Sequence, residues 1–409
     1  MAIGKGAAKQ LRSKRQTAKG TLAVAGTGGQ VVRREVSTFE LSKETYTTES
    51  EQTSRRQVMS ARHGPRLVNG AVRGILSPGT YADWFSSLLY RDFTAVAAIT
   101  GMSITIAGTG PTWTITRAAG DWLAGGAKIG RVIRLTAGAF AAGNLNKNAL
   151  IIGATALVLT VRALNRLPFV AEGPIASATA SFPGGVTWVP ESGHTDIYYT
   201  IEEWFSDIPR SERTLDVKFH AATLRLPGSG NAGVDWTATG LDQTKDTTVY
   251  FAAPAVETTT DAVVAASGAL LVGGVQQAIV TDMSITLDNR GSPADPVVGT
   301  DIRPDIFTDK LFGSGSLTAY FDGGTLSDNF IDEVTTSVVS ALTAGNANNA
   351  DFIIISMHDV KLNSASPDDV ATGLKRTYNF SAQFNKLGGA ALATNATTIE
   401  MQDSAVIPV

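Results

Sequence analysis

The chain contains no cysteine. Disulfide frameworks, thiolate metal sites and thiol nucleophiles are therefore excluded together, and stability has to come from packing and assembly. Histidine is nearly absent as well: His63, His194, His220 and His358 are far apart in sequence. Glu191 and Asp216 lie shortly before His194 and His220, but in turn and strand texture, where such spacings do not bring side chains together as a helix would. His358 and Asp359 on an alternating strand point to opposite faces. No Gly-x-Ser-x-Gly elbow occurs, and Gly313-Ser-Gly315 opens a strand rather than a strand-to-helix turn. Gly4-Lys5-Gly6 and Gly26-Thr-Gly-Gly29 lack the strand, spacing and hydroxyl residue of phosphate loops and read as flexible linker. The adjacent acids Glu202-Glu203 and Asp368-Asp369 read as solvated, since a hard cation needs spaced ligands on a loop. No catalytic residue, cofactor or metal site is expected.

Long apolar runs are also missing. The most apolar stretch, Leu150 to Val161, lies between Lys147 and Arg162, well short of the ~20 residues that span a bilayer, and reads as one buried strand. No membrane partner is expected. The beginning of the sequence lacks the apolar stretch of a secretory signal, so the protein is expected to stay in the cytosol where it is made.

Charge is sparse at 17% and unevenly placed. Residues 1–34 hold Lys5, Lys9, Arg12, Lys14, Arg15, Lys19, Arg33 and Arg34 and no acid. Removing those eight from a net charge of −3 leaves −11 on the rest, so a basic arm precedes an acidic body. A solvated terminus is one reading. Another is an extended arm that docks on an acidic neighbouring copy and orders on assembly. Nucleic-acid binding is disfavoured, because the arm has no aromatic residue on which a base could stack.

With apolar residues at 43%, 41 glycines and few helix formers, the chain is expected to be mainly β. Its 409 residues suggest two or three domains. Val36 to Tyr46 comes near a period of two, Arg62-His-Gly-Pro65 reads as a turn, and Val68 to Leu76 reads as a further strand. The period then changes. After Ser77-Pro-Gly-Thr80, the apolar positions of Tyr81 to Leu89 describe an amphipathic helix that Thr80 can cap. Gly-rich turns between short strands from about residue 99 to 189 suggest a small inserted barrel or sandwich. Strands resume at Ile197 to Ile201 and Thr214 to Leu226, and the Thr/Ala-rich residues 254–267 read as a linker.

A weak internal repeat organises this text. Gly70 to Phe85 lines up with Gly315 to Phe330, with Gly70/Gly315, Gly79/Gly324, Thr80/Thr325, Asp83/Asp328 and Phe85/Phe330 identical. Phe219-His220 is aligned with Met357-His358 as a second match. The expected organisation is a basic extended arm at 1–30, a first domain at 31–98 and 190–255, an inserted β-rich domain at 99–189, a linker at 256–267 and a second domain at 268–409.

Several segments resemble the two-domain tail tube proteins of siphophages: the basic start Ala2-Ile-Gly-Lys-Gly6, Arg55-Arg56-Gln-Val58, Ala61-Arg-His63-Gly64, Val68-Asn-Gly70 and above all Leu76-Ser77-Pro78-Gly79-Thr80-Tyr81. The likeness continues in Gly120-Asp-Trp-Leu-Ala-Gly-Gly126, Ile201 to Asp207 and Ser292 to Gly299. The resemblance implies two duplicated β-sandwich domains, each with a flanking helix. It also implies self-assembly into stacked rings whose inner sheets join around a channel, three copies making a pseudo-sixfold ring. Its implied partners are further copies, tape measure, terminator and distal tail proteins, and double-stranded DNA that passes without specific binding through a negatively lined channel. The implied place is the virion tail, assembled in the host cytoplasm. Lys5, Lys9, Arg12, Lys14, Arg15, Lys19, Arg55, Arg56 and His63 are then candidates for contacts between subunits. Gly64, Gly70, Ser77, Pro78, Gly79, Thr80, Gly324 and Thr325 are candidates for turns or close packing. Two alternatives remain: another virion component such as a distal tail ring or decoration protein, and a glycan-binding sandwich using Trp113, Trp122 and Trp188.

Overall fold

A computed structural model describes residues 5–48, 57–58, 60–277, 279–321, 325–368 and 373–407. A single 3-10 turn, Gly6–Ala8, leads into β1 (Lys9–Arg15) and β2 (Thr27–Val31). A long hairpin follows, β3 (Val36–Thr47) and β4 (Ala61–Ile75), and then helix α1 (Ala82–Leu88). Next come β5 (Ile99–Gly108), β6 (Trp113–Arg117), β7 (Val132–Ala137), β8 (Ala149–Ala154), β9 (Val158–Ala163) and β10 (Glu172–Ser181), which close into a six-stranded barrel. The chain continues through β11 (Gly185–Trp188), β12 (Tyr199–Phe205), β13 (Arg210–Pro227), β14 (Gly233–Gly240), β15 (Asp242–Asp246) and β16 (Ala253–Ala255). The remaining strands are β17 (Val264–Val272), β18 (Val275–Gln276), β19 (Val280–Asp288), the short pair β20 (Ser292–Pro293) and β21 (Ile306–Phe307), and β22 (Phe312–Tyr320). Helix α2 (Thr325–Ile331), β23 (Thr336–Thr343), β24 (Phe352–Asp368), β25 (Lys375–Ala382) and β26 (Glu400–Asp403) end the order. The protein is mainly β, as its composition predicts.

The duplication is visible in the hydrogen-bond ladders. In the first half β3 pairs with β4, β4 with β14 and β14 with β13. In the second half β19 pairs with β22, β22 with β25 and β25 with β24. The far ends of β13 and β19 also pair with each other, Ala221 opposite Asp288 through Pro227 opposite Asp282. One sheet therefore runs β3-β4-β14-β13-β19-β22-β25-β24 through the whole molecule.

β13 and β24 are long because each serves two sheets. Their first halves leave the continuous sheet and pair with β12 and β15, or with β23 and β26. Both strands bulge at the same place: Thr214 and Val217 face Ile201 and Tyr199, as Met357 and Val360 face Val338 and Thr336. A bulge inserts one unpaired residue and bends the strand, which lets it change sheets.

These ladders correct the second sequence match. Val217 corresponds to Val360 and Phe219 to Leu362, so His220 answers to Asn363 and Asp216 to Asp359. Aligning the histidines shifted the strands by five residues. β1 is to the first half what β17 is to the second: it pairs with β12 as β17 pairs with β23. Three smaller expectations are also corrected. Leu150 to Val161 is two strands of a hairpin, β8 and β9. Arg62-His-Gly-Pro65 is strand, inside β4, and Thr27–Val31 is a strand rather than linker.

One apolar core spans both halves, and a separate one fills the barrel. The first is densest under α1, where Trp84 stacks on Phe219 with ring centroids 4.0 Å apart and meets Trp236 edge-on at 5.5 Å. The barrel is not detached. Val132, Leu150 and Leu164 pack on Leu271, Val339, Phe352 and Ile354 of the second half, and Arg131 forms a buried ion pair with Glu400. Trp113 and Trp122 are buried in the barrel core, and Trp188 lies beneath the Arg91 guanidinium, 3.4 Å from ring centroid to Cζ. None of the three offers an open stacking platform.

Candidate assembly surface

The basic start belongs to the fold of its own chain. Lys9–Arg15 alternates side chains across β1, and its ladder sets Arg12 opposite Glu202 and Leu11 opposite Glu203. Lys9 Nζ reaches Glu203 Oε1 at 2.6 Å and donates to Ser37 O at 2.8 Å. Arg12 is buried; it donates to Phe251 O at 2.7 Å and lies 3.4 Å from Glu202 Oε2. Arg15 pairs with Asp83 and Asp92, and Lys19 pairs with Asp305 at 3.1 Å. Lys14 Nζ donates to the carbonyls of Val24 and Thr27 at 2.8 and 2.6 Å, and Lys5 donates its backbone N–H to Asp207 at 2.6 Å. The expectation of an arm that waits for a neighbour is thereby corrected for residues 9–15: the acidic surface it was to find is β12 and α1 of the same molecule.

Glu202 and Glu203 are likewise not solvated. Both are buried. Glu202 accepts from Ser211 Oγ (2.7 Å), Tyr250 N (2.6 Å) and Phe251 N (3.0 Å), with Arg12 beside it. A buried carboxylate is tolerable when its lone pairs are filled in this way. Burial pushes the Glu203 carboxyl up, and the bonds from Lys9 and Ser37 oppose that shift.

The Ser77-Pro78-Gly79-Thr80 turn is tied to the second half. Gly79 has φ +77°, a conformation glycine adopts without steric cost. Its N–H donates to Asp403 Oδ2 at 2.8 Å. Pro78 O accepts from Thr260 Oγ1 at 2.6 Å, and Ser77 Oγ and Thr80 Oγ1 share a bond of 2.7 Å. Thr80 does not cap the helix: the residue before α1 is Tyr81, and no side chain bonds its N-terminus. Asp403 is buried, and desolvation pushes its pKa up to about 7 despite bonds from Gly79, Ala405 and Val406.

The other candidates are dispersed. His63 is exposed on the hairpin, its Nδ1 3.4 Å from Thr45 Oγ1. A Cβ at Gly64 would run into the Tyr46 ring, and one at Gly70 would stand 2.5 Å from the Phe39 ring, so both glycines permit close cross-strand packing. Thr325 is the first residue of α2. Arg55, Arg56 and Gly324 lie outside the described residues.

Sequence reasoning missed the two sheet edges. β3 pairs on one side with β4, and residues 361–368 of β24 pair on one side with β25. Among the described residues no strand pairs with the other side of either. The equivalent sides in mid-molecule, of β19 and β13, are joined to each other. Unpaired N–H and C=O rows of this length are a template for another chain. Among the described residues there is also no group of three or more His, Asp or Glu placed to hold a metal ion, and no helix long and apolar enough to cross a membrane.

Two repeats of one sheet-and-helix unit, fused through a continuous sheet and open at both edges, define a subunit shaped for edge-to-edge association. The sequence profile of the phage tail tube proteins matches residues 6–382, and the chain belongs to that family. It is a structural component of a phage tail, and self-assembly into the tube follows from membership. No curated protein matches it.

Proposed function

We propose that three copies close into a pseudo-sixfold ring, that rings stack into the tube of a long-tailed siphophage, and that DNA passes through the channel on ejection. The observation that carries this reading is the β13–β19 junction. The chain joins its own two halves edge to edge, and the counterpart edges, β24 and β3, are left open. Eight strands from each of three copies give 24. At about 4.8 Å per strand that is a circumference of about 115 Å and a diameter of about 37 Å, which strand tilt increases.

The sheet face opposite the helices supports a channel wall with little to grip phosphate. Its alternate positions form a ladder of hydroxyls and amides: Thr223–Thr286 at 3.1 Å, Ser284–Ser316 at 2.9 Å, Thr318–Thr377 at 2.9 Å and Asn379–Ser364 at 2.9 Å. Of its cations, Arg73 and Arg225 are both engaged by Asp235 at 2.8 Å and Lys375 stands opposite Asp368, while Lys361, opposite Ser381, is exposed; Glu40, Asp282 and Asp288 add negative charge. Counterion release, the usual source of DNA affinity, needs free cations. The role is mechanical, with no chemistry of its own. Partners beyond further copies are the tape measure, terminator and distal tail proteins, met in the host cytoplasm.

Electron microscopy of the purified protein at high concentration, with its solution mass measured beside it, tests the reading. Hollow tubes with threefold symmetry and six inner lobes are expected. A particle that stops at one ring would favour a distal tail component instead.

A further inference from the structure

Helices α1 and α2 are counterparts, yet only α1 is covered. Phe85, Leu88 and Leu89 are buried, and residues 289–311 of the second half close the side of the first. Tyr90 Oη donates to Asp309 O at 2.7 Å, and Lys218 Nζ donates to Ile306 O at 2.9 Å. His220 lies so close to Gly291 that a Cβ there would be 2.5 Å from its side chain. The same positions in the second half are Phe330, Glu333, Val334, Lys361 and Asn363. There Ile331 is 71% and Val334 43% exposed. Between α2 and the free edge of β24 runs an open groove of about 380 Å³, with Phe330, Ile331, Val334 and Leu362 as its apolar wall.

We propose that this groove is the seat of a second copy of the chain, and that the outer pairs of the next copy's β3–β4 hairpin, residues 43–47 and 61–66, lie in it as residues 289–311 lie on the first half. The inference rests on the reading that copies join through β3 and β24, and it names the second contact that such a junction makes. Its ground is continuity with the junction inside the molecule. The cover of the first half is the connection between β19 and β22, and the corresponding stretch of β3 and β4 is the outer, paired end of the hairpin. That end passes beyond the sheet: Lys43–Arg66, Thr45–His63 and Tyr46–Arg62 pair across the hairpin, while β14 joins β4 only from Val68 onward. Glu333 and Lys361 both line the groove, and Lys43, Glu44 and Arg62 are exposed on the hairpin, so each side carries both signs of charge. The correspondence also gives a register. Gly291 answers to Thr45 and His220 to Asn363, so Thr45 of one copy meets Asn363 of the next.

The absence of cysteine makes the test clean. Within one molecule Thr45 and Asn363 lie on opposite sheet edges, seven strand steps or roughly 34 Å apart, far beyond disulfide reach. Tubes of the double variant Thr45→Cys/Asn363→Cys, mildly oxidised, are expected to give covalent two- and three-chain species that neither single variant gives. Ile331→Asp changes a side chain exposed in the isolated molecule, so its melting temperature is expected to match the wild type while ring formation is lost. Double-variant tubes that form as the wild type does but give no specific cross-link, or Ile331→Asp tubes formed as readily as wild type, overturn the seat and leave the tube reading standing. A wild-type chain that never forms rings overturns both.

Discussion

Asp403 gives the sharpest prediction about the isolated subunit. Its carboxylate accepts from Gly79 N in the turn before α1 and from Ala405 N at 3.0 Å, and so fastens the first half to the last strand. Burial raises its pKa from 3.8 to about 7. The folded state therefore keeps this proton at pH values where the unfolded chain has lost it. Below about pH 4 both states are protonated and the group is neutral to stability; as pH rises towards 7 the native advantage in bound protons is lost, and above 7 it is gone. About three pKa units at 1.36 kcal/mol each give a loss of about 4 kcal/mol across that window. Asp403→Asn cannot titrate. Urea unfolding of the unassembled wild type and variant, measured from pH 4 to 8, should show the wild type losing about 4 kcal/mol relative to Asp403→Asn as pH rises. Other carboxylates cancel in the difference. Two curves that run parallel over the whole range would refute the reasoning.

The buried pair of Arg12 and Glu202 predicts that Arg12→Ala lowers stability by about 3–5 kcal/mol, because a buried carboxylate is left without its cation; Arg12→Met with Glu202→Gln should recover most of it in the same urea titration. Trp236 meets Trp84, Phe85 and Phe219 but has no hydrogen-bond partner for Nε1. Trp236→Ala should cost about 3–5 kcal/mol, and Trp236→Phe under about 1.5 kcal/mol, as read by thermal melting. The barrel leaves and re-enters the body beside the mutual Thr94–Val186 bonds of 2.8 and 2.9 Å, so replacing residues 97–183 by a short linker should leave a folded body by circular dichroism. Its melting temperature should fall, since Glu400 loses Arg131 and Phe352 and Ile354 lose their cover, and Glu400→Gln should restore part of the loss.

What the sequence disclosed depends on how local each signal is. Period-two alternation in Val36 to Tyr46 and the helical spacing from Tyr81 to Leu89 are local, and β3 and α1 stand there. The repeat of Gly70 to Phe85 in Gly315 to Phe330 carries no insertion, and the structure sets β4 and α1 against β22 and α2. The histidine match failed because it rested on one shared residue type; both long strands bulge at equivalent positions, and only their ladders set Val217 against Val360. Glu202-Glu203 read as solvated because adjacent acids usually are; the basic strand that neutralises them lies about 190 residues earlier, and only the β1–β12 ladder brings the two together. The open edges of β3 and β24 were illegible for the same reason: an edge is defined by what does not pair with it, which no single segment records.

The most direct test of the assembly is a cryo-electron microscopy reconstruction of the tube at strand resolution. Three copies per ring are expected, with 24 inner strands and β24 of each copy hydrogen-bonded antiparallel to β3 of the next, Ala365 opposite Leu41 as Ala222 is opposite Leu287. Six copies per ring, or β3 and β24 both facing solvent in the assembled tube, would contradict it.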